Sequence, residues 1–375
     1  MLGGGSFWFN YIPRSLSKKG IEVVVIYAKE ARYNASDDVA IKEDIVEGDI
    51  KLYALGCSFK LPKGAVIPRF EDITKALKRE SKDADVIYLH YYPPLEMFFS
   101  IIKRKCLHSF VPVIAGVHLM PFDSWLSKMY MPIFFHNLAK FEAIHVPNNI
   151  LRYFINKVVN RYLSVFYIPN GINIKEVELA EKYRWRQRTK FRILFAGRLT
   201  REKGIDRLIN VVKHVAKSDV SSNVEFIIAG DGPLRNSIIS LCNDYKGLVK
   251  YVGPLPREVL FRLYDSAHAL ILPSRVEVAP FVVIEALAFG LPVIANDIPV
   301  LHEYIANDFN GYLVRFEKYT EVKGKIEKLF YLWYSNSNQY CILRKVIALA
   351  CRKMYNLDKV LNDFVSMINM LARKA

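Results

Sequence analysis

The sequence predicts an α/β chain of two domains, each a doubly wound parallel sheet, and three observations carry the prediction. Short β-branched runs alternate with helical stretches along most of the chain, which is the pattern of parallel strands joined by helices. The 375 residues exceed the usual size of a single hydrophobic core. A polar segment, KEVELAEKYRWRQRTK (175–190), precedes a fresh start at FRILFAGRL, where the second domain is expected to begin.

The elements follow in order. GGGSFWFNYIPRSLSKKGIEVVVIY reads as glycines, a helix to Lys19, Gly20 as its stop and a strand from Val23 to Tyr27. That is a βαβ unit without its first strand, because only Met1 and Leu2 precede the glycines. Such a strand is central in a doubly wound sheet, so further residues, on the order of ten, are expected upstream. Strand candidates follow at DVIYLH (85–90), VPVIAGVH (111–118), AIHVP (143–147) and FYIPN (166–170). The second half repeats the alternation: FRILFAG, VEFIIAG, LVKYVG, HALILP and LPVIAN as strands, with helices at 204–217, 234–245, 257–266 and 280–289.

Composition narrows the partners. Hydrophobic residues make up 52% and charged residues 24%, with no repeat and no low-complexity tract, so the chain is globular. The net charge of +16 favours anionic partners: phosphorylated small molecules, acidic lipid or nucleic acid. Five scattered cysteines without C-x-x-C spacing suggest neither a disulfide framework nor a zinc site, which fits a reducing, cytoplasmic compartment. No apolar run reaches the length of a membrane-spanning helix, and the first residues lack the pattern of a signal peptide.

Candidate chemistry concentrates in the second half. In SRVEVAPFVVIEALAFGLPVIAND, Glu277 and Glu285 are separated by seven residues in apolar surroundings, and a buried carboxylate needs a cation or a donor. Pro280 falls at the expected first helical position and Gly290 just past the last, placing Glu277 in a loop and Glu285 in the second turn. Both can face one cleft beyond the HALILP strand. AGRLTREKG brings Arg198 and Lys203, a fork and a point charge suited to phosphate, although a solvated loop has the same composition. AGDGP, with Gly230, lets backbone approach a ligand or forms a simple tight turn. The helix start at Phe281 and Val282 offers N–H groups to an anion or a hydroxyl. Two carboxylates are also the acid–base pair of glycoside hydrolases, but neighbouring Arg and Lys point to phosphate rather than to a neutral sugar alone. Asp83 and Asp85 imitate a D-x-D metal motif, yet they immediately precede a strand, where aspartate is a common turn residue, and no metal is expected.

Taken in order, GRLTREKG, AGDGP, YVGPLPREVLFRLYDSAHALILPS, the E-x7-E pair, GLPVIANDIPVLHEYI and NGYLV resemble the retaining nucleotide-sugar glycosyltransferases of family 4, closely over Phe191–Val314. The GG loop, DVIYLHYY, VIAGVH, VPNN and YIPNGIN follow the same family's order more loosely. YNLDKVLNDFVSMINMLARK is similar to its last helix.

The resemblance implies the GT-B architecture: two Rossmann-like domains facing across a cleft, at 1–175 and 190–354, with a helix at 355–375 packing back on the first. It implies a UDP- or GDP-sugar donor on the second domain, an acceptor on the first, and no metal or other cofactor. Arg198 and Lys203 would hold the diphosphate, Glu277 the transferred sugar and Glu285 the ribose. His118 would reach the sugar near its phosphate, although a lone histidine at a strand end is equally a structural hydrogen-bonding residue. Gly3 and Gly4 would bring backbone N–H groups to the phosphate, and Leu255 would meet the base. Retention would follow from attack on the face that phosphate leaves, with a phosphate oxygen taking the acceptor proton.

The chain departs from the family pattern after Glu277, where Val278, Ala279 and Pro280 replace a glycine–phenylalanine–glycine run, and at Pro299 and Val300, which replace a glycine pair. The identity of the sugar therefore does not carry over.

LEMFFSIIKRKCLHSF (95–110) and WLSKMYMPIFFHNLAKF (125–141) mix aromatic and basic residues as a surface on anionic lipid would, or as two core helices with solvated basic faces would. The first alternative extends the expectation to a peripheral position on the cytosolic membrane face and a lipid-linked or polysaccharide acceptor. No nucleic-acid recognition motif is present. A non-catalytic sugar-nucleotide-binding protein, or a GT-B enzyme of another reaction such as an epimerase or a phosphorylase, would share these donor residues.

Overall fold

The computed structural model describes residues 4–28, 42–46, 50–55, 57–60, 66–68, 70–91, 111–118, 135–159, 163–181 and 189–372. Gly3, all of 95–110 and the 125–134 part of the second aromatic–basic segment lie outside the described residues. The chain forms two compact units, one of 5–168 with 361–375, the other of 169–360 with 1–4.

The first unit opens with helix α1 (Gly4–Ser17), ended by Gly20, and strand β1 (Val23–Ala28). Strands β2 (Lys42–Val46), β3 (Ile50–Leu55), β4 (Cys57–Lys60) and β5 (Val66–Pro68) follow, then helix α2 (Phe70–Glu80). β1 pairs with β3 in parallel, whereas β2–β3 and β4–β5 are antiparallel, a departure from the all-parallel expectation in a stretch where no strands were foreseen. Strands β6 (Ile87–Tyr91), β7 (Val113–Val117), β8 (Ala143–Val146), helix α3 (Asn149–Val158) and strand β9 (Ser164–Tyr167) complete the run. β6, β7, β8 and β9 make a parallel sheet in that order. All five residues of β7 are buried, so this strand reads VIAGV without alternation, as expected of a strand covered on both faces. Asn148 caps α3 by accepting from the Leu151 N–H at 2.7 Å.

The second unit begins with helix α4 (Ile174–Glu181) and strand β10 (Phe191–Ala196). Then come α5 (Ile205–Val215), β11 (Val224–Ala229), α6 (Arg235–Asp244), β12 (Val249–Gly253), α7 (Arg257–Ser266), β13 (Ala269–Leu272), α8 (Phe281–Ala288), β14 (Val293–Asn296) and β15 (Gly311–Val314). Helices α9 (Tyr319–Ser335), α10 (Ser337–Met354) and α11 (Leu357–Ala372) end the chain. α11 runs from the second unit into the first, because Leu361 onward belongs with the first.

One parallel sheet of order β12-β11-β10-β13-β14-β15 forms the centre of this unit. α5 shows why the helices pack on it. Ile205, Leu208, Val211, Val212 and Val215 recur every three or four residues and are fully buried against the strands. Each such side chain contributes about 1.5–3 kcal/mol of burial.

The sheet order fixes where a ligand can sit. From β10 the chain builds outward to β11 and β12, then returns to place β13 on the other side of β10. The crevice beyond the carboxyl ends of β10 and β13 is thus the topological switch point, the usual ligand site of such sheets.

Candidate active site

Two loops meet at that switch point. The loop after β10 carries Arg198 and Lys203, and the loop after β13 carries Glu277. Lys203 Nζ donates to Glu277 Oε1 at 2.7 Å, with the glutamate buried and the lysine half-buried. The carboxylate thus has the cation that its burial requires. Arg198 stands apart, its side chain 62% exposed and only 3.9 Å from Glu202, an ion pair of the weak surface kind.

The lysine loop is held from several sides. Arg275 donates to both carboxylate oxygens of Asp206, at 2.8 and 2.7 Å, and to the Arg201 carbonyl, while its own N–H donates to the Glu202 carbonyl at 2.9 Å. The guanidinium beside Asp206 holds that carboxyl below its ordinary range. Gly204 starts α5 with φ +73°, and a Cβ there would lie 2.1 Å from the Pro273 carbonyl oxygen, so only glycine lets the two loops approach this closely. The AGDGP turn lies next to it: the Gly230 N–H donates to Gly253 at 2.8 Å, its carbonyl accepts from Tyr251 at 2.9 Å, and the Leu199 N–H donates to the Asp231 carbonyl at 2.8 Å. Leu255 is half-buried in the segment after β12.

α8 starts one residue later than expected. Pro280 is the N-cap, with φ −74° and ψ 101°, and Phe281 and Val282 are the first two helical residues. A proline ring fits this half-helical place as well as the next one, because neither position needs its N–H. Val283 N–H already donates to the Pro280 carbonyl at 3.1 Å. The preceding loop is anchored by the buried Asn170, whose side-chain amide donates to the Ala279 carbonyl at 3.0 Å. Gly290, with φ +73°, ends the helix, and a Cβ there would lie 2.2 Å from the Arg344 carbonyl oxygen.

Glu285 is placed differently from Glu277. Arg257 NH1 donates to its Oε1 at 2.5 Å and Tyr264 donates to its Oε2 at 3.0 Å, and Arg257 also reaches Glu176 on α4 at 3.1 Å. Burial raises the Glu285 carboxyl above its ordinary range, with Arg257 opposing the shift. Arg257 and Tyr264 were not foreseen. Arg257 opens α7, where the helix dipole disfavours a cation, and that unfavourable place was the one local signal that a carboxylate lies nearby.

His118 lies in the first unit, just past the end of β7. Tyr88 Oη is 3.0 Å from its Nε2 and 2.7 Å from His145 Nδ1, and the His90 and His118 rings stack at 4.4 Å. Burial pushes His118 well below the ordinary histidine range, and His90 and His145 down to about 4. Gly4 is the first residue of α1. Asp83 and Asp85 occupy the turn before β6. Among the described residues no group of three or more His, Cys, Asp or Glu is arranged to hold a metal ion, and no helix is long and apolar enough to cross a membrane.

Comparison with known proteins places this geometry in a family. Residues 179–342 match the family described as glycosyl transferases group 1. An uncharacterized glycosyltransferase of Methanocaldococcus jannaschii is 30% identical over 183 residues, 45% of this chain and 46% of that protein. The match therefore spans about half of that relative's length. An uncharacterized 41.2 kDa protein in the cps region of Klebsiella pneumoniae is 36% identical over 251 residues, 64% of this chain and 67% of its own. An Escherichia coli UDP-Gal:alpha-D-GlcNAc-diphosphoundecaprenol alpha-1,3-galactosyltransferase is 26% identical over 160 residues, 40% of this chain and 41% of that enzyme. The solved sucrose-phosphate synthase from Thermosynechococcus elongatus shares the fold, with a TM-score of 0.78 at 19% identity over 100% of this chain and 94% of that one. The fold is GT-B, and the chain belongs to the glycosyl transferases group 1.

Proposed function

We propose that the protein transfers a hexosyl group from a nucleotide diphosphate sugar to an acceptor hydroxyl, with retention of anomeric configuration and without a metal ion. The observation that carries the reading is the Lys203–Glu277 pair at the switch point of the second unit's sheet. Lys203 is a cation that can turn to a diphosphate, and Glu277 is then a carboxylate that can accept from sugar hydroxyls. Arg198, exposed on the same loop, adds a second cation for the charge that grows on the leaving phosphate. Val282 and Phe281 open α8, whose N-terminus favours an anion or an oxygen acceptor.

Glu285 would accept from the ribose hydroxyls while keeping Arg257 and Tyr264, because each carboxylate oxygen has two acceptor sites. Gly230 and Leu255 would border the nucleotide, and Gly3 and Gly4 its phosphates. In the transfer, the bond from the anomeric carbon to phosphate breaks as a bond from the acceptor oxygen forms on the same face. The acceptor proton passes to a phosphate oxygen of the departing nucleotide diphosphate. UDP as the nucleotide, and a lipid-linked or polysaccharide acceptor at the cytosolic face of a membrane, are supported by the E. coli relative's name and by the net charge of +16.

The test is transfer from UDP- and GDP-sugars to free and polyprenyl-linked sugars in the presence of EDTA, with the product followed by NMR. The product is expected to keep the donor's anomeric configuration. An inverted product would contradict retention, and activity lost to EDTA and restored by a divalent ion would contradict metal independence.

A further inference from the structure

Helix α10 is apolar on two sides. Tyr340, Ile347 and Cys351 form one stripe and are buried. Ile342, Val346 and Leu349, spaced by four and three residues, form a second stripe on the opposite side and are exposed, Ile342 at 61% and Leu349 at 69%. A helix face turned to water carries polar side chains, and a helix that is apolar all round is covered by something.

The bonds of the inner side fix which way the helix faces. Tyr340 donates to the His268 carbonyl, and Arg344 to the carbonyls of Ala267 and Phe289 at 3.2 and 2.9 Å. Arg352 donates to the Ala288 carbonyl at 3.0 Å and to Glu181. Both arginines are thus turned inward, and the helix cannot rotate its outer stripe away from solvent. Lys345 and Lys353 are exposed. Lys345 lies three residues from Ile342 and four from Leu349, and Lys353 four beyond Leu349, so the two cations share the face with the apolar stripe.

This face is the centre of a larger patch. Of the thirteen exposed large apolar side chains among the described residues, six fall within 331–354: Tyr331, Tyr334, Ile342, Val346, Leu349 and Met354. They are grouped, unlike the single exposed apolar residues of an ordinary surface.

Charge identifies what covers it. From Lys328 to Leu357 the sequence has five Lys and Arg and no Asp or Glu. A second copy of this chain would bring the same cations against themselves, and like charges oppose such a contact. An anionic lipid surface satisfies every group: Ile, Val and Leu enter the acyl boundary, tyrosine suits the interface, and lysines reach the headgroups.

We propose that the outer face of α10, with Tyr334 and Met354 near its two ends, docks the second unit on an anionic lipid surface. The inference rests on the membrane position within the proposed function, and not on the reaction. α10 is fastened to the amino end of β13 and the carboxyl end of α8, whereas the switch-point crevice lies at the other end of both, so docking leaves the crevice open.

The experiment is co-sedimentation of the full chain with vesicles of phosphatidylglycerol and phosphatidylcholine, at about 0.1 M salt, where the Debye length is about 10 Å. Vesicles of phosphatidylcholine alone are the control. Val346→Ser with Leu349→Ser leaves the charge unchanged and should lower the affinity at least about tenfold, the size of about two buried methylene groups. Lys345→Gln with Lys353→Gln should lower it about fivefold for each lysine. Arg315→Gln with Lys318→Gln removes as much charge at the far end of α9, roughly 20 Å along that helix from Tyr334, and should change little. Should the serine pair fail to fold, the two charge pairs decide.

Equal loss in the two charge pairs, or full binding by a folded serine pair, would overturn the α10 surface while leaving the membrane position standing. No binding by the folded wild type would overturn both. A wild-type dimer in lipid-free solution, seen by light scattering and dissociated by the serine pair, would assign the face to a second copy and contradict the proposal. Thermal stabilisation by UDP and GDP, followed on the same samples, tests the transferase reading separately, and the serine pair should keep whatever stabilisation the wild type shows; its loss in a folded serine pair would contradict a face that lies apart from the crevice.

Discussion

The pairing of Glu277 with Lys203 leads to a definite expectation. Lys203→Ala leaves a buried carboxylate without its cation, and the loss of such a partner costs about 1–3 kcal/mol. Chemical denaturation should show that loss, and nucleotide binding should weaken with it. A second expectation concerns His145. Its folded value of about 4 lies below the 6.5 of an exposed histidine, so acid protonates the unfolded chain first. The sign follows: the stability this group contributes is present above about pH 6.5 and is lost as pH falls toward 4, in total about 3 kcal/mol. His145→Gln should have a flatter stability curve over that window, with His90 and His118 supplying the remaining slope. Urea unfolding at stepped pH measures both. Individual residues were only partly legible in the sequence. Glu277 and Lys203 were read from the need of a buried carboxylate for a cation and from a basic loop, whereas Arg257, Tyr264 and Asn170 show their roles only when distant segments meet.

At the scale of elements, the turn from β10 into α5 sets the site. Gly204 occupies a left-handed conformation with the Pro273 carbonyl in the space a side chain would need. Gly204→Ala is therefore strained in both conformation and space, at a cost of at least about 2 kcal/mol. It should also move Lys203 away from Glu277, so the variant is expected to lose nucleotide binding beyond what its fall in thermal midpoint explains, as calorimetry would show. The parallel elements were legible because buried strands of this sheet are short, continuous and β-branched, as in FRILFA, VEFIIA and VIAN. The antiparallel pairs between Lys42 and Pro68 were missed, because KEDIV and CSFK carry charged or polar residues and no turn signal that separates strand from loop.

For the whole molecule, the net charge of +16 predicts an interaction that salt weakens. Vesicles rich in anionic lipid should co-sediment with the protein at low ionic strength and release it as salt rises, whereas neutral vesicles should not bind. Equal binding to both would contradict a charge-driven surface. The two-unit organisation was legible from length and from the alternation restarting at Phe191, because each core needs its own run of strands and helices.

The central claim is that the switch-point crevice of the second unit binds a nucleotide diphosphate sugar. Thermal stabilisation of the purified protein by UDP, GDP and their sugars tests it most directly, beside Lys203→Ala and Arg198→Ala. Ligand at about one hundred times its dissociation constant adds about 2.7 kcal/mol. The account predicts stabilisation by one nucleotide family, lost in both variants. No stabilisation of a folded protein by any of them, or stabilisation that both variants retain in full, would contradict it.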